Sequence, residues 1–463
     1  MCLTFASGSV LSRQVRGRTG PYARTARRQM TTIQTEERSG GDDPPSRLGR
    51  LQGLLDEVAR TNALQRERLR GVHVHSLEDL REIRPIDKRE LLRDQQAHPP
   101  FGRNLTYALE RYVHLHQTSG SSGVTLRVLD TAEDWDWWTR CLADVFTAAG
   151  VGRSDLVALA YSFGPYIHFW ATYAGAGAVG ANRVALGGMD SIQRLQTIRE
   201  YRATTLTCTP SYAIRLARVA SEHGLEEALS SVTKVVCSGE PGASRPAVRA
   251  QIEELWQARC FDHAGLSEVG DFGYPCADAG GMHINEREFI AEIIDPETGQ
   301  PAGEDEVGEL VLTALGRRGF PSIRYRTGDM VERCERRCPA GHQGRWLPGG
   351  ILGRSDDMVV IRGMNVFPSA IEQVLREFDE IGEFRITFYT EPTAMDEVKL
   401  EVELERPEQT NAIQARLRTH LGLRVRIVPL KAGILPTSMG KARRVVDARV
   451  LSAGRARNGG RND

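Results

Sequence analysis

The sequence predicts a large α/β domain followed by a smaller α+β domain, with a hinge between them. Three observations lead to this prediction: the length of the chain, an alternation of apolar runs with helical stretches, and a different order of elements near the C-terminus. A chain of 463 residues is too long for one compact core, because single hydrophobic cores stop growing at about 250–300 residues. We therefore expect at least two domains.

The larger domain is expected over residues 48–352. Residues 48–110 look helical, and "RLGRLQGLLDEVAR" has the amphipathic spacing of a helix. Apolar runs then read as buried strands, with helical stretches between several of them: "LVALAYS" (156–162), "ATTLTCT" (203–209), "VTKVVCS" (232–238) and "GELVLTAL" (308–315). This alternation predicts a substantially parallel sheet covered by helices.

The smaller domain is expected over residues 353–463, with a disordered tail. Its elements read as strand "MVVIRG", helix "PSAIEQVLREF", strands "EFRITFYT" and "EVKLEVELE", helix "NAIQARLRTHLG" and strand "RVRIVPL". The first helix is expected to begin at Pro368, since proline is favoured in the first helical turn. The order β-α-β-β-α-β is the split-βαβ arrangement, and the join to the larger domain falls near "LGRSDD" (352–357).

Composition excludes several classes of function. Lys plus Arg and Asp plus Glu are 60 each, so the formal net charge is zero, and nothing favours binding to nucleic acid or to an anionic membrane. No apolar run reaches the roughly 18 residues of a membrane span. Eight scattered cysteines do not form a disulfide scaffold, so we expect a reducing, cytoplasmic location.

Residues 1–47 are expected to be a basic, disordered leader and linker. Residues 1–35 contain several arginines and no acid, a composition also found in organelle transit peptides. This segment shows no clean amphipathic stripe, which favours a disordered leader or a working start at Met30. "SGGDDPPSR" (39–47) reads as a linker.

A loop rich in glycine and hydroxyl groups, "TSGSSG" (118–123), separates two β-type runs. Glycine lets the backbone approach a ligand closely, and successive backbone N–H groups form an anion site. The loop therefore suits a polyphosphate, although it is not a P-loop, because no lysine follows Gly123. Taken alone, it is more typical of a polar hairpin turn.

Five further motifs follow the loop: "CSGEPGA" (237–243), "DHAGLSEVGDFG" (262–273), "PSIRYRTGDM" (321–330), "GRSDDMVVIRGMNVFP" (353–368) and "LPTSMGKARRV" (435–445). Together, in this order and over about residues 50–450, they resemble the motifs of the adenylate-forming superfamily of acyl-CoA synthetases, non-ribosomal adenylation domains and luciferases. The resemblance is closest to the phenylacetate–CoA ligase branch. It implies that ATP and an acid react to give an acyl-adenylate and pyrophosphate, and that the acyl group then passes to CoA.

The resemblance also implies roles for individual residues. The loop over the β- and γ-phosphates would consist of Thr118, Ser119, Gly120, Ser121, Ser122 and Gly123. The adenine face would be lined by Ser238, Gly239, Glu240 and Pro241. The remaining roles would be a Mg²⁺ ligand at Glu268, ribose contacts at Asp329 and Arg354, a hinge at Asp356, and a catalytic amine at Lys441.

Two positions depart from the pattern of many relatives. Val124 follows the loop where relatives often carry a lysine shortly afterwards, and Ala264 stands where an aromatic ring often stacks on adenine. The acid pocket is expected near "YSFGPYIHFW" (161–170), with Tyr161 and Phe163 as its walls. Aromatic walls suit an aryl acid, although large aromatic side chains also pack ordinary cores.

Cysteine and histidine residues on two short loops resemble a structural zinc site of the Cys3His type. "YPCADAGGMHI" (274–284) and "ERCERRCPAGH" (332–342) supply Cys276, His283, Cys334 and Cys338, with His342 as an alternative ligand. The other interpretation is that these are unrelated loop thiols.

Two other functions stay open at this point. An ATP-dependent diazotase would activate nitrite and diazotise an aromatic amine in antibiotic pathways. A nucleotide-binding regulator would have lost catalysis, which the joint presence of Glu268, Asp329, Arg354 and Lys441 disfavours. The expected partners are therefore a small aromatic acid, or an aromatic amine with nitrite, and a homodimer is one expected assembly.

Overall fold

The computed structural model describes residues 46–118, 125–161, 164–276, 280–342, 344–355, 359–361, 364–378, 381–390, 396–421, 425–436 and 444–449. Several predicted features lie outside these residues: the leader, residues 119–123 of the hydroxyl-rich loop, Phe163, Asp356, Lys441 and the C-terminal tail.

The described α-helices are α1 (Arg47–Thr61), α2 (Ala63–Arg68), α3 (Lys88–Ala97), α4 (Ala132–Ala148), α5 (Ile167–Ala178), α6 (Ser191–Tyr201), α7 (Pro210–Glu222), α8 (Pro246–Trp256), α9 (Pro368–Leu375) and α10 (Thr410–Leu421). The strands up to the end of the parallel sheet are β1 (Tyr112–Gln117), β2 (Arg127–Thr131), β3 (Leu156–Leu159), β4 (Asn182–Ala185), β5 (Thr205–Cys208), β6 (Lys234–Cys237) and β7 (Arg259–Asp262). The strands that follow in the large domain are β8 (Ala264–Leu266), β9 (Gly270–Pro275), β10 (Met282–Ile284), β11 (Phe289–Ile294), β12 (Val307–Ala314), β13 (Tyr325–Glu332), β14 (Trp346–Leu347) and β15 (Gly353–Arg354). The C-terminal strands are β16 (Val359–Ile361), β17 (Met364–Val366), β18 (Ile381–Thr390), β19 (Asp396–Leu404), β20 (Arg426–Leu430) and β21 (Val445–Asp447).

A five-stranded parallel sheet forms the centre of the large domain, as the sequence predicts. Its order is β4-β3-β5-β6-β7, with every neighbouring pair parallel. Val157 and Leu159 pack into one hydrophobic core, while Ala158 between them packs into another. Helices therefore cover both faces of the sheet, which explains why its central strands read as continuous apolar runs.

Antiparallel sheets complete the large domain. One has the order β14-β10-β9-β8, another has the order β11-β12-β13-β15, and β1 pairs with β2 in a hairpin. The run "GELVLTAL" is a buried strand, as predicted, but it is β12 of the antiparallel sheet. Its continuous burial comes from packing on both faces, and burial alone does not reveal strand direction.

Local sequence explains where several helices begin. The helix predicted at "RLGRLQGLLDEVAR" is α1, and Ser46 caps it by accepting a hydrogen bond from the backbone N–H of Gly49. Thr131 and Asp134 form a reciprocal capping box at the start of α4. Pro368 occupies the first turn of α9, as predicted.

The C-terminal α+β domain has its own core, formed by residues between Val359 and Val425. The predicted order of elements is present, but the pairing differs from a split-βαβ sheet. Strand β16 pairs with β17 in a separate hairpin, and the four-stranded sheet has the order β20-β19-β18-β21. The sequence analysis missed β21, a short strand that covers the edge of β18 in parallel register.

Within the described part of the chain, no helix is both long enough and apolar enough to cross a membrane.

Candidate functional site

The parallel sheet has a topological switch point between β3 and β5. From β3 the chain moves outward to β4 and then returns to the other side of β3 as β5. In such sheets, ligands bind beyond the carboxyl ends of the strands at this point. Tyr161 follows β3, Ser238 follows β6 and His263 follows β7, so all three lie at this edge.

Tyr161 and Ser238 are in direct contact at the edge. The Tyr161 hydroxyl lies 2.9 Å from Ser238 Oγ and donates to the Cys208 carbonyl over 3.3 Å. Ser238 Oγ also lies 2.6 Å from His168 Nε2. The structure therefore joins a residue predicted for the acid pocket to a residue predicted for the adenine face.

His168 continues the chain of polar contacts into the interior. Its ring stacks on that of His263, with centroids 5.7 Å apart, and His263 Nδ1 lies 3.3 Å from Asp271 Oδ1. Burial lowers the pKa of His168 to about 4, so the imidazole is neutral near pH 7. The sequence analysis did not single out His168, although it lies within the quoted run "YSFGPYIHFW".

Asp271 ends this chain as a buried carboxylate. Burial acts to raise its pKa, but the contacts with His263 and Trp138 outweigh burial and lower it. Trp138 Nε1 donates to Asp271 Oδ2 over 2.5 Å. Asp271 therefore stays ionised and holds the orientation of His263.

The turn from Ser238 to Pro241 begins directly after β6 and leads toward α8. Gly239 adopts a φ of +88° there, a conformation that favours glycine. The Glu240 carboxylate accepts a hydrogen bond from the backbone N–H of Ser211 over 2.7 Å. Burial, and next the negative charge of Glu372 in the C-terminal domain, raise the pKa of Glu240.

Asp329 and Arg354 face each other on paired strands. They are register partners between β13 and β15, and Arg354 Nη1 lies 3.2 Å from Asp329 Oδ1. Gly328 has a φ of +74°, and a Cβ there would lie 2.6 Å from Arg354 Nη2. The glycine of "RTGD" therefore makes room for the guanidinium, and the two predicted ribose contacts lie together.

Glu268 is buried with a lysine from the N-terminal part of the domain. Its Oε1 lies 3.3 Å from Lys88 Nζ, and Tyr325 hydrogen-bonds to its carboxylate. Burial is the main cause that raises the pKa of Tyr325, so this phenol stays protonated. The sequence analysis missed Lys88, although it is the one lysine among many arginines in residues 46–118.

Thr118 closes the base of the hydroxyl-rich loop. Its Oγ1 accepts from the backbone N–H of Leu126 over 3.1 Å, and its own N–H donates to the Leu126 carbonyl over 3.0 Å. Both ends of the loop are thus held by the β1–β2 hairpin. The predicted loop residues Ser119, Gly120, Ser121, Ser122 and Gly123 lie outside the described residues.

The aromatic run that follows β3 is divided between core and surface. Phe169 is a core residue, while Tyr166 and Trp170 are 41% and 42% exposed. Tyr161 is therefore the described aromatic residue of this run that lies at the carboxyl edge of the sheet.

Three of the four predicted zinc ligands lie together. The ligand atoms of Cys276, His283 and Cys338 are all within 4.8 Å of one another, and the two sulfur atoms are 3.5 Å apart. Both ring nitrogens of His283 are buried without a hydrogen-bond partner of good geometry among the described residues. Burial lowers the pKa of His283 to about 4, which keeps it in the neutral form that binds metals.

Cys334 lies elsewhere and groups with Asp305 and Glu332. Its sulfur is directed at the Arg336 carbonyl, 4.0 Å away, so the turn that brings Cys338 to the cluster turns Cys334 away. The ring centroid of the alternative ligand His342 lies 5.8 Å from that of His283.

Known proteins agree with this architecture. The AMP-binding enzyme C-terminal domain family matches residues 363–449. The phenylacetate-coenzyme A ligase of Thermus thermophilus is 32% identical over 400 residues, which are 81% of this chain and 88% of that protein. A 2-hydroxyisobutyryl-CoA ligase in the postadenylation state has a TM-score of 0.81 at 29% identity, covering 89% of this chain and 90% of that one.

The fold and these relatives define a class of enzyme, the ligases that form an acyl-adenylate intermediate. Within that class, the chain belongs to the phenylacetate–CoA ligase branch of the adenylate-forming superfamily. The predicted family, fold class and enzyme class are thereby confirmed.

One of these relatives has been solved in two states that match the chain to different degrees. The same 2-hydroxyisobutyryl-CoA ligase in its thioesterification state has a TM-score of only 0.64, at 30% identity and with 89% of this chain and 91% of that one covered. The postadenylation state therefore matches much better, with a TM-score of 0.81. Taken as a whole, the chain therefore superposes more closely on the postadenylation state than on the thioesterification state.

Proposed function

We propose that the protein activates an aryl carboxylic acid with ATP, forms the acyl-adenylate, and transfers the acyl group to CoA. The observation that carries this proposal is the 2.9 Å contact between Tyr161 and Ser238. This contact supports an acid pocket that lies beside the adenine turn at the switch point of the sheet. An acid and a nucleotide held there would be close enough to be joined, and positioning is the main task of an enzyme of this type.

The nucleotide would lie along this edge toward β13 and β15. Ser238, Gly239, Glu240 and Pro241 would line the adenine, and Asp329 would accept hydrogen bonds from the ribose hydroxyls. Arg354 would orient the Asp329 carboxylate, 3.2 Å away, and contact the ribose. The loop that begins at Thr118 would cover the β- and γ-phosphates.

Glu268 would hold Mg²⁺, since a buried carboxylate is a suitable hard-oxygen ligand for this cation. When bound, the ion would neutralise charge on the phosphate oxygens of ATP. Lys88, 3.3 Å from Glu268, supplies a positive charge in the same place. It would compensate for the lysine that is missing after the hydroxyl-rich loop, where Val124 stands.

An aromatic substrate is supported by two observations. Tyr161 presents an aromatic ring at the switch point, in edge-to-face contact with His168 at a centroid distance of 4.7 Å. The relative from Thermus thermophilus is, by its name, a phenylacetate ligase. A ring between aromatic walls gains stacking and area burial.

The proposal is tested by measuring pyrophosphate release with a panel of acids, with and without CoA. We expect release to depend on an aryl acid, with AMP and an aryl-CoA thioester as the final products. The panel includes phenylacetate, benzoate and 2-hydroxyisobutyrate, and a separate reaction contains nitrite with an aminobenzoate. Preference for the aliphatic acid would contradict the aromatic assignment, nitrite-dependent release would indicate a diazotase, and ATP binding without release would indicate a regulator.

We also propose a structural zinc site formed by Cys276, His283 and Cys338, with His342 as the fourth ligand. Thiolate and imidazole are the ligands that zinc prefers in closed structural sites, and the three gathered ligand atoms lie within 4.8 Å of one another. Such an ion would fix the position of β10 relative to the loop before β14, and thereby stabilise the large domain.

The zinc proposal predicts about one equivalent of zinc per chain by elemental analysis of the purified protein. Cys276→Ser is expected to lose most of this zinc and to lower the melting temperature. Cys334→Ser is the matched control. It should keep the zinc content and the melting temperature of the wild type, because Cys334 lies outside the cluster. Wild-type protein without zinc, or equal zinc loss in the two variants, would contradict this site.

A further inference from the structure

Arg245 makes an unusual set of contacts between the two domains. Its backbone follows the predicted adenine turn and immediately precedes α8, while its side chain is buried, with 6% of the residue exposed. Burial of a guanidinium is costly unless its donors are satisfied. The hydrogen-bond partners of this side chain therefore indicate its role in the structure.

The described hydrogen-bond partners of the Arg245 side chain lie in the C-terminal domain or just before the predicted hinge. Nη1 donates to the Ser369 carbonyl over 3.0 Å and to Gln373 Oε1 over 2.8 Å. Nη2 donates to Ser369 Oγ over 2.8 Å and also to the Leu352 carbonyl. Ser369 and Gln373 lie one turn apart on α9, so the guanidinium binds the first turns of that helix.

A second, weaker contact joins the same domains at another place. Arg218 on α7 donates to the Ile381 carbonyl at the start of β18 over 2.7 Å. Across this interface Arg245 has three acceptors, on Ser369 and Gln373, and Arg218 has one. Any rotation of the C-terminal domain away from the large domain would break the Arg245 contacts to Ser369 and Gln373 together.

We propose that Arg245 is a positioning residue that holds the C-terminal domain in the orientation used to form the adenylate, and that it releases α9 before thioester formation. This inference rests on the proposed two-step function. It agrees with the closer overall match of the chain to the postadenylation state than to the thioesterification state of a relative. Because Arg245 lies only four positions after Pro241, the last residue of the adenine turn, binding of the nucleotide and closure of the C-terminal domain would be linked through a short stretch of backbone.

The two half-reactions separate this role from a merely structural one. Adenylate formation is measured as a single turnover of pyrophosphate release without CoA, and thioester formation is measured from a chemically prepared acyl-adenylate with CoA. Arg245→Ala is expected to slow adenylate formation about tenfold or more, because several hydrogen bonds from a charged donor are lost. The rate of thioester formation should stay within about twofold of wild type. In this half-reaction the contacts of Arg245 with α9 are already broken, so the substitution removes nothing that the step uses.

Related variants make the test specific. Arg245→Lys keeps the charge but loses the forked geometry, so its adenylation rate should fall between wild type and Arg245→Ala. Gln373→Ala removes the partner of Arg245 on α9, so it should also slow adenylate formation. The double variant should be only slightly slower than Arg245→Ala alone, because both substitutions remove the same contact. Arg249→Ala is the matched control: Arg249 lies one turn along α8 and pairs with Glu253 on the same helix, so both half-reactions should be unchanged.

Hydrogen exchange tests the contact independently of catalysis. The peptide that contains α9, within residues 364–378, should exchange faster in Arg245→Ala than in wild type, and at the wild-type rate in Arg249→Ala. Unchanged exchange there, unchanged adenylation, or an equal loss in both half-reactions would overturn the role of Arg245. If wild-type protein carried out neither half-reaction, the proposed function would fail, while the exchange measurement would still decide whether Arg245 holds the domain.

Discussion

Glu268→Gln is expected to lower acid-dependent pyrophosphate release by about 100- to 1,000-fold, the range seen when one preorganised electrostatic contact to a transition state is removed. The amide keeps the size of the side chain but loses the negative charge that would hold Mg²⁺. It also leaves Lys88, 3.3 Å away in the native protein, without its ionic partner. We therefore expect the Mg²⁺ concentration needed for half-maximal rate to rise as the maximal rate falls.

The measurement is the initial rate of pyrophosphate release at several Mg²⁺ concentrations. Glu254→Gln provides the control, because Glu254 is an exposed carboxylate on α8 of the same domain. Thermal unfolding of each variant shows whether the fold is kept. An unchanged rate and unchanged Mg²⁺ dependence in Glu268→Gln would exclude Glu268 from the ATP site.

Lys441→Ala should have a comparable effect, about 100-fold or more on adenylate formation. An ammonium group that approaches the reacting carboxylate and the α-phosphate would stabilise negative charge that increases in the transition state. This role comes from the motif "LPTSMGKARRV" (435–445) alone, since Lys441 lies outside the described residues. Binding of ATP should be nearly unchanged, because most nucleotide contacts would come from the large domain.

Both properties can be measured on one preparation, with ATP affinity by calorimetry and adenylate formation by single turnover. Lys431→Ala is the matched control, because Lys431 is an exposed lysine of the same domain, just after β20. If Lys441→Ala turned over like wild type, Lys441 would have no part in the reaction. If it lost ATP affinity instead, the lysine would bind nucleotide in the ground state and would not act specifically in the transition state.

Much of the fold was predictable because buried strands and amphipathic helices leave periodic patterns. The strands β3, β5 and β6 are all found where their apolar runs predict them. Strand β4 was not predicted, because an edge strand with the sequence "NRVA" is half exposed and carries no such pattern. Strand β21 was not predicted either, because its three residues are held mainly by pairing with β18.

The candidate site was predictable where chemistry is concentrated in a short motif. The pairing of Asp329 with Arg354 and the contact between Tyr161 and Ser238 involve residues that the motifs had already selected. Lys88 and Arg245 were not selected, because their roles arise from contacts with residues more than 100 positions away. Such contacts depend on tertiary packing and leave no local signal in a single sequence.

The two outer strands of the C-terminal sheet have a consequence for the timing of catalysis. Strand β20 lies at one edge of that sheet and β21 at the other, and Lys441 belongs to the segment that connects them. Both ends of this segment are therefore attached to the same sheet. If Lys441 acts in adenylate formation as proposed, rotation of this sheet would carry its amine away from the phosphate, so the movement that admits the second substrate would also end the first reaction.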